Sequence, residues 1–314
     1  MTLSQIVEKA KDYNHIYLSG HIHPDGDCVG ATMAMVQLLE NAGVEAKVLL
    51  MEKPEVYNYL PMDKYVQIEC PVDADLFITL DASDVERLGD YGALVGQVET
   101  INIDHHISNT EFGHINYVSG EASSTCEMIY YMIDNHEWLT KSIAEALYTG
   151  IIYDTGAFKH TNTAPSTHIA AAELIKYGIN FNWIVGKVFY EKPFKAFKAQ
   201  SLAYDRLKLM VDNKVAISWL DVEDFEQLAI GKEHVDSIVQ HMADIKGLEV
   251  AVFFYSVVKG TYKISLRSRG DVDVCQVAGT FGGGGHVKAS GASFVGDINA
   301  GIEAVVGEIA KQLI

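Results

Sequence analysis

Cysteine is scarce in this sequence: four in 314 residues, Cys28, Cys70, Cys126 and Cys275, with no C-x-x-C pair. A disulfide framework is thereby excluded for a chain of this size, and a reducing compartment fits. Basic residues are few as well. The 24 lysines and arginines stand against 42 aspartates and glutamates and leave a formal charge of −18. Proteins that coat long nucleic acid carry basic faces that neutralise many phosphates, so no long-duplex nucleic acid partner is expected. An acidic pocket can still take a small anionic ligand where divalent cations intervene. Long apolar runs are missing too. No uninterrupted stretch reaches the ~18 residues that would suggest a membrane span, and VAVFFYSVV from Val250 is far too short. The opening MTLSQIVEKAKDYNH spaces Leu3, Ile6, Val7 and Ala10 like an amphipathic helix and has no basic segment followed by an apolar core. A cytoplasmic protein without membrane contact is expected. There is no internal repeat, and no low-complexity tract beyond Gly282 to Gly285.

What the chain does have is apolar mass. Hydrophobic residues make up 48% of it, enough at this length for about two domains with real cores. The first half alternates short apolar segments with helical patterns. HIYLSG, a helix from about Gly30 to Ala42, EAKVLLM, DLFITLD and VETINID follow one another, which predicts βαβ units and a mostly parallel sheet. KSIAEALYTGIIY from Lys141 to Tyr153 and Ser166 to Lys176 read as helices. The stretch from Phe181 to Leu209 is helical and aromatic, and reads as a connector. A second domain then begins with VAISWL near Val215, adds a helical stretch from Val235 to Met242, and continues with VAVFFYSV and TYKISLRS as a hairpin. A last helix covers Asn299 to Leu313.

Three of the early strands end on acidic or histidine residues. In open α/β sheets ligands bind beyond the carboxyl ends of the strands, so this placement is the first functional clue. GHIHPDGDCVG, from Gly20 to Gly30, brings His21, Asp25 and Asp27 to one turn allowed by Pro24 and Gly26. Carboxylate and imidazole donors suit Mn²⁺, Mg²⁺ or Zn²⁺, although the same composition also makes a turn with a helix cap. Asp81 follows LFITL and could equally cap a helix. IDHHISN sets Asp104, His105 and His106 at another strand end, and Asp154 follows the helix from Lys141. A two-metal phosphoesterase needs this inventory of O and N donors.

In order, HxxPDGDxxG (His21 to Gly30), the aspartate of LDASD, DHH (Asp104 to His106) and YTGIIYDTGAF (Tyr148 to Phe158) resemble the four motifs of the DHH phosphoesterase superfamily. FGGGGHVKASGAS, from Phe281 to Ser293, resembles the signature of the DHH-associated C-terminal domain. Within the superfamily, a two-domain length without extra modules is similar to the NrnA-type oligoribonucleases, or nanoRNases, that also act as 3′-phosphoadenosine-5′-phosphate (pAp) phosphatases.

The resemblance implies an α/β fold in two domains. The first would be a mostly parallel sheet flanked by helices over residues 1–185. A helical linker over 186–212 and a smaller mixed α/β domain over 213–314 would follow, with the active-site cleft between the domains. It implies two Mn²⁺ ions per site, with Mg²⁺ or Co²⁺ as substitutes. His21, Asp25 and Asp81 would hold one ion, and Asp27, Asp81, His105 and Asp154 the other, with Asp81 bridging. Asp104 would fix the tautomer of His105, and His106 would face the scissile phosphate. Arg267, Ser268, Gly283, Gly284, Gly285 and His286 would clamp the substrate, with Arg269 a surface charge; a glycine run can also be a mere flexible linker.

The expected reaction is hydrolysis of short oligoribonucleotides to mononucleotides and removal of the 3′-phosphate of pAp. Cyclic- or linear-dinucleotide phosphodiesterase, inorganic pyrophosphatase and a non-catalytic nucleotide-binding protein are the alternatives. Homodimerisation follows from the resemblance alone. Ser123, Ser124 and Thr125 read as a cap for the following helix, His160 as either a substrate contact or a surface histidine, and His23 as lying outside the metal ligands.

Overall fold

The computed structural model describes residues 1–313, with Val257 described by its backbone alone; Ile314, the end of the expected second domain, lies outside the described residues. The chain divides into two compact units, Met1–Glu191 and Lys192–Ile314. The division falls inside the stretch expected as a linker. The helix Phe194–Asp205 buries Ala199 and Ala203 against Ala216, Leu220 and Phe225, so it belongs to the core of the second unit.

In the first unit, β1 (Ile16–Ser19), β2 (Lys47–Leu49), β3 (Val66–Gln67), β4 (Leu76–Leu80), β5 (Glu99–Asp104) and β6 (Ile115–Val118) form one sheet in the order β3-β2-β1-β4-β5-β6. Every pairing is parallel, as the sequence predicts, with Leu18 opposite Ile78 and Ile78 opposite Ile101. LFITL is apolar at nearly every position because both faces of β4 are covered. Leu18, Ile78 and Leu80 join the cluster under the helices Gly26–Asn41 and Lys141–Asp154, whereas Tyr17, Leu49 and Phe77 pack with Leu88 and Tyr91. Strand β6 carries no prediction above; its half-buried INYV lacks the apolar run of a central strand.

Strand order reverses between β1 and β4. The chain leaves β1 toward β2 on one side and returns to β4 on the other, which opens a crevice at the carboxyl ends of these two strands. Residues 20–25 and Asp81 issue at that point. The helix after β1 starts at Gly26, one turn earlier than the sequence predicts, because Oδ1 of Asp25 accepts from the amides of Asp27 and Cys28, both at 3.1 Å.

The second unit holds β7 (Lys208–Met210), β8 (Val215–Leu220), β9 (Val250–Val258), β10 (Thr261–Ser268), β11 (Gly284–His286) and β12 (Ala289–Val295), in the order β11-β12-β10-β9-β8-β7. Among the described residues of this second sheet, the β8–β9 pair is parallel and the other pairs are antiparallel, which makes the sheet mixed. The glycine run leads into a strand and is not a linker: Gly284 and Gly285 open β11, with Gly282 and Gly283 just before it. A Cβ on Gly283 would lie 2.1 Å from the carbonyl oxygen of Gly291, so only glycine permits the chain to enter β11 this close to β12. The last helix, Ile298–Ala310, covers the face bearing Ile264 and Leu266.

Candidate metal centre

Asp81 leaves β4 with φ at 58°, a left-handed conformation that costs little for aspartate compared with branched residues. The turn aims its carboxylate into a cluster. Oδ2 lies 3.6 Å from His21 Nε2, and Oδ1 lies 3.6 Å from His105 Nε2 and 3.7 Å from His106 Nδ1. His21 Nε2 is also 3.6 Å from Asp25 Oδ1, and His105 Nε2 is 3.0 Å from Asp154 Oδ2. Asp154 is the final residue of its helix, where Thr155 and a left-handed Gly156 end the turn.

Ligand atoms of His21, Asp25 and Asp81 lie within 4.8 Å of one another, and so do those of Asp27, His105 and Asp154. A third such group is Asp81, His105 and His106. Donors that each reach about 2.1 Å to a shared divalent ion stand roughly 3 to 4 Å apart, so spacings of 3.6 Å, too long for hydrogen bonds, fit ligands of a common ion. Hard carboxylate oxygens mixed with imidazole suit a first-row or alkaline-earth divalent cation.

Asp27 is held in a way that the sequence did not announce. Its Oδ2 accepts from the amide of Thr125 at 2.6 Å and its Oδ1 from that of Cys126 at 2.9 Å, at the N-terminus of the helix Thr125–Met132. These amides lack partners inside their own helix and favour negative charge. Ser124 caps the helix, with Oγ accepting from the Glu127 amide at 3.0 Å. Thr125 also reaches the metal cluster, its Oγ1 donating to Asp81 Oδ1 at 3.2 Å. Buried Glu127 accepts from the Ser123 amide at 3.0 Å and from Thr167 Oγ1 at 2.9 Å, which anchors the turn beneath the site.

The electrostatics record crowding. Burial, then the charge of Asp81, pushes Asp27 up to about 7; burial and the charge of Asp27 push Asp154 up to about 6. Burial opposes the charged form of His21, but Asp25 and Asp81 overcome it and raise the group to about 10. His105 rises to about 10 in the same way, through Asp154, Asp27 and Asp81 against burial. A cluster of carboxylates that must borrow charge from imidazolium is one that a divalent cation would stabilise.

Asp104 corrects one expectation. Its carboxylate does not hold His105; Oδ1 lies 2.7 Å from His106 Nδ1, and Oδ2 accepts from Asn109 Nδ2 at 2.6 Å. As the last residue of β5, fully buried Asp104 is followed by two histidines whose rings lie 4.6 Å apart and are tilted by 55°. Burial would raise Asp104, yet His106 and Asn109 bring it below the usual carboxylate range, while the Asp104 hydrogen bond raises His106. His160 makes a structural contact, Nδ1 lying 3.1 Å from the Asp154 carbonyl oxygen. A cavity of about 260 Å³ opens on the cluster and is lined by His21, Asp25, Asp81, His106 and Asp154, and also by Ser83, Tyr153, exposed His23 and Arg87. Sequence reasoning overlooked Arg87, although RLG follows LDASDVE within the same segment.

In the second unit, Ala289 of β12 is in register with His286 of β11 on one side and Arg267 of β10 on the other, so the two basic side chains share a face. Burial lowers Arg267, whose Nη1 donates to the Leu266 carbonyl at 2.9 Å. Arg269 instead pairs with Asp244. The Ser268 amide donates to the Lys288 carbonyl at 2.9 Å, which ties β10 to the turn after His286.

The sequence matches the DHH family, N-terminal domain, over residues 15–151 and the DHHA1 domain over residues 212–312. It is 32% identical over 308 residues to the bifunctional oligoribonuclease and PAP phosphatase NrnA of Thermus thermophilus, an alignment covering 95% of this chain and 90% of that protein. The chain belongs to the DHH family. A Bacillus subtilis relative of the same name is 27% identical over 299 residues, covering 92% of each chain. The fold matches the crystal structure of an exopolyphosphatase-related protein from Bacteroides fragilis, with TM-score 0.88 at 23% identity over 98% of this chain and 95% of that one. The DHH family consists of metal-dependent phosphoesterases, and the cluster around Asp81 provides this DHH protein with the donors such an enzyme requires. No helix among the described residues is long and apolar enough to cross a membrane.

Proposed function

We propose that this DHH protein is a Mn²⁺-dependent hydrolase that degrades short oligoribonucleotides to mononucleotides and removes the 3′-phosphate of pAp. The observation that carries the reading is the division of the Asp81 carboxylate, one oxygen toward His21 and the other toward His105. A carboxylate so placed suits a bridge between two ions, one held with His21 and Asp25, the other with Asp27, His105 and Asp154. Bound Mn²⁺ would supply Lewis acidity toward the phosphoryl oxygens and lower the pKa of water.

The chain's own groups would complete the reaction. The oxygen of water bonds to phosphorus and releases a proton to solvent, the phosphorus bond to the ribose oxygen breaks, and that oxygen takes a proton to leave as an alcohol. His106, its Nδ1 engaged by Asp104, is the group we assign to that proton through Nε2. Arg267, Ser268, His286 and the glycines Gly283, Gly284 and Gly285 are assigned to the substrate's other phosphate and sugar groups. A cytoplasmic setting accords with the free cysteines Cys28, Cys70, Cys126 and Cys275.

The test is a rate comparison on purified protein with Mn²⁺, Mg²⁺ or Co²⁺. The panel is a short RNA, pAp, linear and cyclic diadenylate, and pyrophosphate. Faster turnover of short RNA and pAp with Mn²⁺ supports the reading; dominance of the cyclic dinucleotide or pyrophosphate rejects it.

A further inference from the structure

Among the described residues, Arg87 is the one lysine or arginine that lines the cavity over the metal cluster. Its carbonyl ties it to the metal loop by accepting from the Ile22 amide at 2.8 Å, while its amide donates to Oδ1 of Asp84, three residues earlier in its own segment, at 2.9 Å. Ile22 directly follows His21. The backbone of Arg87 is therefore fixed relative to a metal-ligating residue, while its side chain is exposed to the cavity.

The guanidinium is not spent inside the protein. The cavity carboxylates turn to imidazoles, Asp81 to His21, His105 and His106, and Asp154 to His105. Arg87 forms no side-chain ion pair within 4.0 Å among the described residues, and it influences Asp84 only through its charge and amide. Its planar fork matches two oxygens of a phosphate better than any neutral group.

We propose that Arg87 recognises a terminal phosphate monoester and thereby sets the balance between 3′-phosphate removal and phosphodiester cleavage at this centre. The inference rests on the phosphoesterase reading above. Oxygens turned toward the acidic and imidazole wall, the side that would hold divalent metal, are unavailable to a guanidinium. A diester has two non-ester oxygens and a single negative charge. A monoester has three such oxygens and about −1.5 to −2 charge at neutral pH, so it retains an oxygen, and additional charge, for Arg87. The fork therefore discriminates by what the diester has esterified.

The experiment compares the Mn²⁺-loaded full chain with its Arg87→Ala and Arg87→Lys variants on pAp and on linear diadenylate. Arg87→Ala should lose about 10- to 100-fold in kcat/KM on pAp and less than about threefold on the diester, as for a lost charge-assisted hydrogen bond. Arg87→Lys, which keeps the charge but not the fork, should fall between, and added guanidinium should restore Arg87→Ala on pAp alone. Calorimetric titration of the metal-loaded proteins with inorganic phosphate should show about tenfold weaker binding in Arg87→Ala, with Mn²⁺ stoichiometry unchanged. Equal losses on both substrates, or undiminished phosphate affinity, overturn the proposal. A wild-type protein that hydrolyses neither substrate rejects the proposed function instead, and the phosphate titration then decides the role of Arg87 by itself.

Discussion

Asp104 Oδ1 lies 2.7 Å from Nδ1 of His106, and this pair joins a fully buried carboxylate to a half-exposed imidazole at the rim of the metal cluster. The carboxylate raises the pKa of His106 and presents Nε2 with a defined tautomer. Asp104→Asn removes the charge while preserving the shape. The alkaline limb of the kcat/KM profile should then move to lower pH, because the proton on His106 is held less tightly. His106→Ala should reduce kcat by roughly 10² to 10⁴, the usual contribution of a general acid. An unmoved alkaline limb in Asp104→Asn would assign that limb to another group.

Asp81 belongs to two of the donor groups, one with His21 and Asp25 and one with His105 and His106, so under the proposed function its loss should not be confined to one ion. Asp81→Ala is expected to abolish hydrolysis of every substrate and to weaken Mn²⁺ binding at both sites. Calorimetric Mn²⁺ titration checks this. Two undisturbed binding steps in the variant would remove Asp81 from its bridging role.

Arg267 lies on the second unit's sheet, in register with Ala289. Arg267→Ala should raise KM for pAp by about tenfold, the value of a lost charge-assisted contact, and leave the Mn²⁺ titration unchanged. Weakened Mn²⁺ binding would show that the two units do not divide the labour in this way.

The metal-free protein should lose stability as pH rises from about 6.5 to about 10. His21 and His105 have unfolded-state values near 6.5 and folded-state values of about 10. Their contribution is full below 6.5, where both states are protonated, and is lost as pH climbs through the folded value. Asp27, raised to about 7, acts in the same sense at lower pH, since the folded state binds its proton more tightly than the unfolded state does. Urea midpoints measured in chelator at several pH values test the slope. Saturating Mn²⁺ should supply stability that grows with pH across this range, because deprotonated ligands bind metal more tightly.

The secondary elements and the ligand inventory were legible in the sequence because both are local. LFITL reports a strand buried on both faces, and KSIAEALYTGIIY reports a helix by its spacing. GHIHPDGD, Asp81, DHH and Asp154 could be singled out because they interrupt apolar runs with ligating side chains. The glycine run was only half legible. Its composition permits a linker, whereas the pairing of Gly284 and Gly285 with β12, and the closeness of Gly283 to the Gly291 carbonyl just before it, exist only once β12 is in place.

Tertiary structure decided the rest. Which of two adjacent histidines Asp104 holds depends on how the chain turns after β5; the family resemblance implied His105, and the bond is made to His106. The amides of Thr125 and Cys126 carry no side-chain signal, yet they fix Asp27 from a helix almost a hundred residues away. Arg87 reads locally as one exposed cation in a short loop, and becomes part of the site only through the bond between its carbonyl and Ile22. Local sequence determines which element forms and which side chain is available. Convergence comes from the parallel strand order, because only the reversal between β1 and β4 brings the two loops to one crevice.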